Sequence, residues 1–138
     1  MKGKPRLHLR FFTLCKSVST DTDGALNLLG LMSVIRVATK GAKPRGNATF
    51  RAAIAVYAED ESASYDLRFT VTRPDGEESD IDRATFGWNG KKWIGLLTVP
   101  VHVSVATPGL YWFRVYADGK FFAKAPLEII HSIQPPTA

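Results

Sequence analysis

Residues 107–130 read TPGLYWFRVYADGKFFAKAPLEII. Pro108-Gly109 marks a turn, residues 110–117 an extended run, Asp118-Gly119 a two-residue hairpin turn, and residues 120–130 the returning strand. An Asp-Gly pair between apolar runs is a strong hairpin signal, because both residues tolerate the positive φ that such a turn needs. Strand parity divides the first arm into two faces. Tyr111, Phe113 and Val115 share one face and read as core. Trp112, Arg114 and Tyr116 share the other and are predicted to look outward, joined by Phe122 from the second arm.

The same reading extends upstream. Residues 64–72 alternate cleanly: Tyr65, Leu67, Phe69 and Val71 inward, Asp66, Arg68, Thr70 and Thr72 outward. They lead into Arg73-Pro74-Asp75-Gly76, where Pro presets φ at the second turn position and Gly closes the fourth. Residues 77–86 form a charged strand suited to a sheet edge. Asn89-Gly90 is another hairpin turn, and residues 93–105 follow with Leu97, Val99, Val101, Val103 and Val105 on one parity. Pro100 places that run at an edge or a bulge.

Nearer the N-terminus, residues 49–58 and 6–15 read as strands. In the latter, Leu7, Leu9 and Phe11 fall on one face, and His8, Arg10 and Phe12 on the other. Residues 16–24 are polar and read as a loop ending in Asp23-Gly24. Over residues 25–37 (ALNLLGLMSVIRV) helix and strand compete. The β-branched Val34, Ile35 and Val37 and the missing helix cap favour one bent strand, or two short ones broken at Gly30.

About eight strands without amphipathic crossover helices indicate an all-β fold, a two-sheet antiparallel β-sandwich of Ig-like or C2-like type. At 138 residues the expectation is one domain, with short flexible tails at 1–5 and 132–138. No apolar run approaches ~18 residues, and the basic N-terminus alternates where a signal peptide would be continuously apolar, so no membrane insertion is expected. One cysteine, Cys15, excludes an internal disulfide and suits a reducing, cytoplasmic location.

The formal net charge of +5 permits an anionic partner without requiring one. With strictly alternating strand directions, a mostly acidic end is expected to hold Asp21, Asp23, Glu59, Asp60, Glu61 and Asp118, together with the Asn89-Gly90 turn and its Lys91 and Lys92. A basic end is expected to hold Lys40, Lys43, Arg45 and Arg73, with Lys2, Lys4 and Arg6. The acidic loops raise calcium, but Met32 stands at the twelfth position from Asp21, where an EF-hand needs Glu, leaving only a site assembled from separate loops. The basic end lacks the interleaved aromatic residues of a single-strand nucleic-acid binder, which argues against nucleic acid.

Catalytic patterns are missing. His8, His102 and His131 have no metal-ligand spacing. There is no G-x-S-x-G elbow, phosphate loop or dinucleotide fingerprint. No catalytic residue, metal ligand or cofactor is assigned.

The set Asp23-Gly24, Leu28-Leu29-Gly30, Val34-Ile35, Arg73-Pro74-Asp75-Gly76, Pro108-Gly109-Leu110-Tyr111-Trp112-Phe113 and Asp118-Gly119 resembles a family of small bacterial β-sandwich proteins of unknown function. In that family an acidic residue commonly follows the position matching Cys15, where this chain has Lys16. The resemblance implies the fold and no activity. The residues themselves point to a non-catalytic protein-binding or assembly module, or a homo-oligomer formed through the outer face of the C-terminal hairpin. The alternatives are a sandwich that binds carbohydrate or calcium and, further off, a small hydrolase.

Overall fold

The computed structural model describes residues 7–23, 25–39, 46–58, 63–88 and 95–133. They form nine strands: β1 (Leu7–Thr20), β2 (Leu26–Leu31), β3 (Val34–Thr39), β4 (Asn47–Ala58), β5 (Ala63–Thr72), β6 (Glu78–Trp88), β7 (Gly95–Ser104), β8 (Gly109–Ala117) and β9 (Lys120–Ile133). The first sheet has four strands in the order β2-β1-β4-β7, and the second has five in the order β3-β9-β8-β5-β6. Every pairing is antiparallel except β3 with β9.

The inward faces meet in one apolar core. Phe50, Ile54, Val99 and Val101 come from the first sheet, and Leu67, Phe69, Phe113, Val115, Leu127 and Ile129 from the second. Phe50 and Phe113 touch edge to face across the sandwich, with ring centroids 5.7 Å apart. The predicted parity of β5 and β8 holds: Tyr65, Leu67, Phe69, Tyr111, Phe113 and Val115 are all buried.

The turns follow their residue chemistry. Asp118 and Gly119 have φ of 48° and 81°, the double positive of a tight hairpin turn. Gly76 N–H donates to Arg73 O at 2.9 Å, closing the predicted turn. β6 and β7 are edge strands, as their charge and Pro100 suggest.

Four expectations are corrected. β1 continues to Thr20, so residues 16–20, read as loop, pair with β2. Its alternation breaks at a register shift between Leu9 and Phe11, which places Phe11 opposite Ala55 on the outer face and turns Phe12 toward the core. Residues 25–37 divide at Met32-Ser33 rather than at Gly30, and β3 crosses to the other sheet. β9 runs to Ile133, so Ser132 belongs to a strand and pairs with Ala38. The positions Lys2, Lys4, Arg6, Glu59, Asp60, Glu61, Asn89-Gly90, Lys91 and Lys92, and the tails 1–5 and 134–138, lie outside the described residues.

Candidate partner-binding face

β8 lies between β5 and β9, so its outward side chains stand in rows with theirs. Thr72, Trp112 and Pro126 form one row, Thr70, Arg114 and Lys124 the next, and Arg68, Tyr116 and Phe121 a third. β6 extends the rows with Glu78 opposite Thr72, Asp80 opposite Thr70 and Arg83 opposite Arg68. Trp112, Arg114 and Tyr116 are therefore brought together on the outer face of the second sheet, each half-buried against its neighbours.

Polar contacts hold these side chains in place. Tyr116 Oη donates to Glu78 Oε2 at 2.8 Å, and Thr70 Oγ1 donates to the same oxygen at 3.0 Å. Arg114 Nη1 donates to Thr72 Oγ1. Arg68 pairs with Asp80 at 2.7 Å, and its guanidinium lies 5.4 Å from the centroid of the Tyr116 ring. Lys124 Nζ sits 4.6 Å from the centroid of the Trp112 ring, within cation–π range. The hydrogen bond from Tyr116 holds the Glu78 carboxyl below its usual range, and the same bond pushes the Tyr116 phenol up.

Phe122 is not part of this face. The β8–β9 register shifts between Val115 and Tyr116, where Tyr116 pairs with Phe121 and Val115 with Ala123. Phe122 is the extra residue and packs against the core. Phe121 takes the outward place, 57 % exposed and edge-on to Tyr116. A bulge has no marker in strand alternation, so parity counting passes over it. Glu78 and Asp80 were also missed as members of the face, because membership depends on which strand flanks β5.

The remaining candidates fall elsewhere. Arg73 is exposed in the turn before β6, while Lys40, Lys43 and Arg45 lie outside the described residues. Asp21 Oδ1 accepts from the backbone N–H groups of Asp23 and Ala25, each at 3.0 Å, so it braces its own turn. Among the described residues no three His, Cys, Asp or Glu side chains cluster as a metal site. His8 stacks on Tyr57, His102 meets Thr49, and His131 Nε2 donates to Val105 O at 2.7 Å. Cys15 is fully buried, and burial pushes its thiol pKa up against the opposing influence of Arg51. Among the described residues no helix is long and apolar enough to cross a membrane.

The arrangement defines an all-β sandwich with an outer sheet face of aromatic rings, cations and the carboxylates of Glu78 and Asp80. The chain belongs to a family of unknown function, DUF6941, whose model matches residues 10–130. No curated protein matches it. Among solved structures it is similar to a Listeria innocua β-glucosidase at 9% sequence identity and a TM-score of 0.59, covering 96% of this chain and 17% of that one. It is similar to the Pseudomonas fluorescens alkylpurine DNA glycosylase AlkC at 11% identity and a TM-score of 0.55, covering 92% and 31%. It also resembles the CARDB domain of a Pyrococcus furiosus protein in complex with di-metal ions, at 12% identity and a TM-score of 0.53, covering 93% and 96%. The chain spans under a third of the length of the glycosylase and of the glucosidase. At these identities the likeness shows the fold alone.

Proposed function

We propose that this chain is a non-catalytic binding module that docks a protein partner, or a second copy of itself, on the outer face of β8 and β9. The observation that carries this reading is the row Arg68–Tyr116–Phe121 lying beside Trp112 and Arg114. Trp, Tyr and Arg dominate binding hot spots, and here Tyr116 and Arg114 are hydrogen-bonded before any partner arrives. Side chains already ordered lose less conformational freedom on binding. Phe121 offers the most exposed ring of the group. The single buried thiol of Cys15 is compatible with action in the cytoplasm.

The test is light scattering and affinity capture with the wild type, Phe121→Ser and Trp112→Ala. Loss of the oligomer, or of a captured protein that rebinds in purified form, in both folded variants supports this face. Unchanged assembly and capture in both would remove it.

A further inference from the structure

Among the described residues the sandwich has four edge strands, and three of them are blunted against further pairing. β7 carries Pro100, which has no N–H to offer an incoming strand. β6 carries an irregularity opposite Phe69 and Thr70, and its side chains include Glu78, Asp80, Asp82 and Arg83. β2 holds Gly30 at a φ of 68°, outside extended geometry. β3 has none of these devices. Its sequence, Val-Ile-Arg-Val-Ala-Thr, pairs with β9 in unbroken register, from Val34 with Glu128 to Thr39 with Ile133. Among the described residues its other side pairs with no strand.

The backbone of β3 is oriented for one more strand. Glu128 N–H donates to Ser33 O at 2.9 Å. In the parallel ladder this turns the backbone groups of Ser33, Ile35 and Val37 toward β9, and those of Val34, Arg36 and Ala38 toward the free edge. The side chains of Ile35 and Val37 pack against the core and are half-buried, so an added strand would complete their cover. Val34, 40% exposed, stands on the outer face in one row with Glu128 and Leu110, and Arg36 stands in the next row with Ile130. Arg36 and Glu128 are exposed, and neither makes an ion pair among the described residues. Lys16 packs against Gly30, and Asp21 and Asp23 lie in the turn before β2; none of the three shares a row with β3. Lys40, next in the sequence after Thr39, lies outside the described residues.

We propose that the β3 edges of two copies of this chain pair antiparallel about a two-fold axis, with Ile35 of one copy opposite Ile35 of the other, and so join their second sheets into one. Such an axis sets residues of equal parity opposite each other, which leaves few registers. An axis at Arg36 would place two guanidinium groups face to face, a destabilising like-charge pair. An axis at Val37 would set Arg36 opposite Ala38, in a row without a carboxylate. With the axis at Ile35, Arg36 of each copy stands opposite Val34 of the other. It then shares a row with the other copy's Glu128, with only the short side chain of Val34 between them. The same contact forms on both sides of the axis. Each copy supplies a cation and a carboxylate, so the edge is complementary to itself, and that reciprocity selects a second copy over an unrelated strand that would match by main chain alone. The pairing uses the edge of the sheet and not the outer face at Trp112, Arg114, Tyr116 and Phe121, so it does not depend on that site.

The experiment is sedimentation equilibrium of the full chain over a concentration series, with disulfide trapping beside it. The expected result is a monomer–dimer equilibrium that salt weakens and that Arg36→Glu weakens at least about tenfold. Glu128→Arg is expected to weaken it likewise. Mixed together, these two variants are expected to dimerise with each other, since the mixed pair has opposite charges on both sides of the axis. Ile35→Cys is expected to form a covalent dimer under mild oxidation, because facing residues at the axis have Cα atoms about 4.5 Å apart, within disulfide range. Val37→Cys is expected to stay uncrosslinked, and so is the wild type, whose one thiol, on Cys15, is buried. The trapping stands alone should a charge variant fail to fold. Phe121→Ser is expected to dimerise as the wild type does, which keeps this result apart from the fate of the β8–β9 face. A chain that stays monomeric up to about 1 mM would overturn the proposal and leave the edge to an extended segment of another protein. So would a dimer that folded Arg36→Glu leaves unchanged, charge variants that fail to dimerise when mixed, cross-linking through Val37→Cys in place of Ile35→Cys, or loss of the dimer in Phe121→Ser.

Discussion

Glu78 Oε2 takes two hydrogen bonds, from Tyr116 and Thr70, and so ties β6, β5 and β8 together at one atom. Its folded-state pKa is depressed, first by the bond from Tyr116. The folded form therefore takes up this proton less readily than the unfolded chain. The stabilisation is present above the unfolded value, about 4.3, and is lost as pH falls through the folded value. Thermal melts are expected to show a drop in Tm below about pH 4 that is shallower in Glu78→Gln. Equal acid slopes in the two proteins would count against the linkage. Tyr116 runs the other way: its phenol pKa is raised by the same bond, so that contribution is lost as pH rises through the folded phenol value. Cys15 gives a second test at this scale. Fully buried, with a thiol held protonated by burial, it is expected to react with Ellman's reagent only as fast as the protein opens, and promptly in denaturant. A fast reaction in native buffer would contradict its placement.

At the scale of elements, legibility in the sequence followed how local the determining interactions are. The β8–β9 hairpin and the inward face of β5 could be read because turn chemistry and strict alternation are written in neighbouring residues. The bulges at Arg10 and Phe122 could not, since an inserted residue is placed by the partner strand. The division at Met32-Ser33 was also hidden. Met32 N–H bonds to Leu14 O in one sheet, and Ser33 O accepts from Glu128 N–H in the other, so distant strands fix the crossing point. The candidate face was half legible: Trp112, Arg114 and Tyr116 from parity, Phe121, Glu78 and Asp80 only from pairing. Gly95 has a role no sequence pattern announces. A Cβ at this position of β7 would fall inside the ring of Phe86 on β6, where the two sheets approach each other. Gly95→Ala is thus expected to force the sheets apart and cost about 1–3 kcal/mol in urea denaturation. A change within a few tenths of a kcal/mol would show that Phe86 swings aside freely.

The whole molecule is bound together by its connectivity. The chain crosses between sheets in five connections: β2 to β3, β3 to β4, β4 to β5, β6 to β7 and β7 to β8. Neither sheet consists of a continuous piece of chain, and their inward faces share one core. A sheet that unfolded alone would expose the apolar face of the other and pull on five crossing segments. The two sheets should therefore unfold as a single unit, as small domains usually do. Phe113 on β8 and Val101 on β7 probe this from opposite sides, since both are essentially inaccessible to solvent. Phe113→Ala is expected to cost about 3–5 kcal/mol, the usual result of leaving a cavity where a buried ring stood. Val101→Ala removes fewer methyl groups and should cost less. Each should shift the urea midpoint of the entire transition, with coincident curves by tryptophan fluorescence and far-ultraviolet circular dichroism and an unchanged m-value. Separate midpoints for the two probes, or a variant that shifts only one of them, would mean that the sheets are independent units despite the interleaved chain.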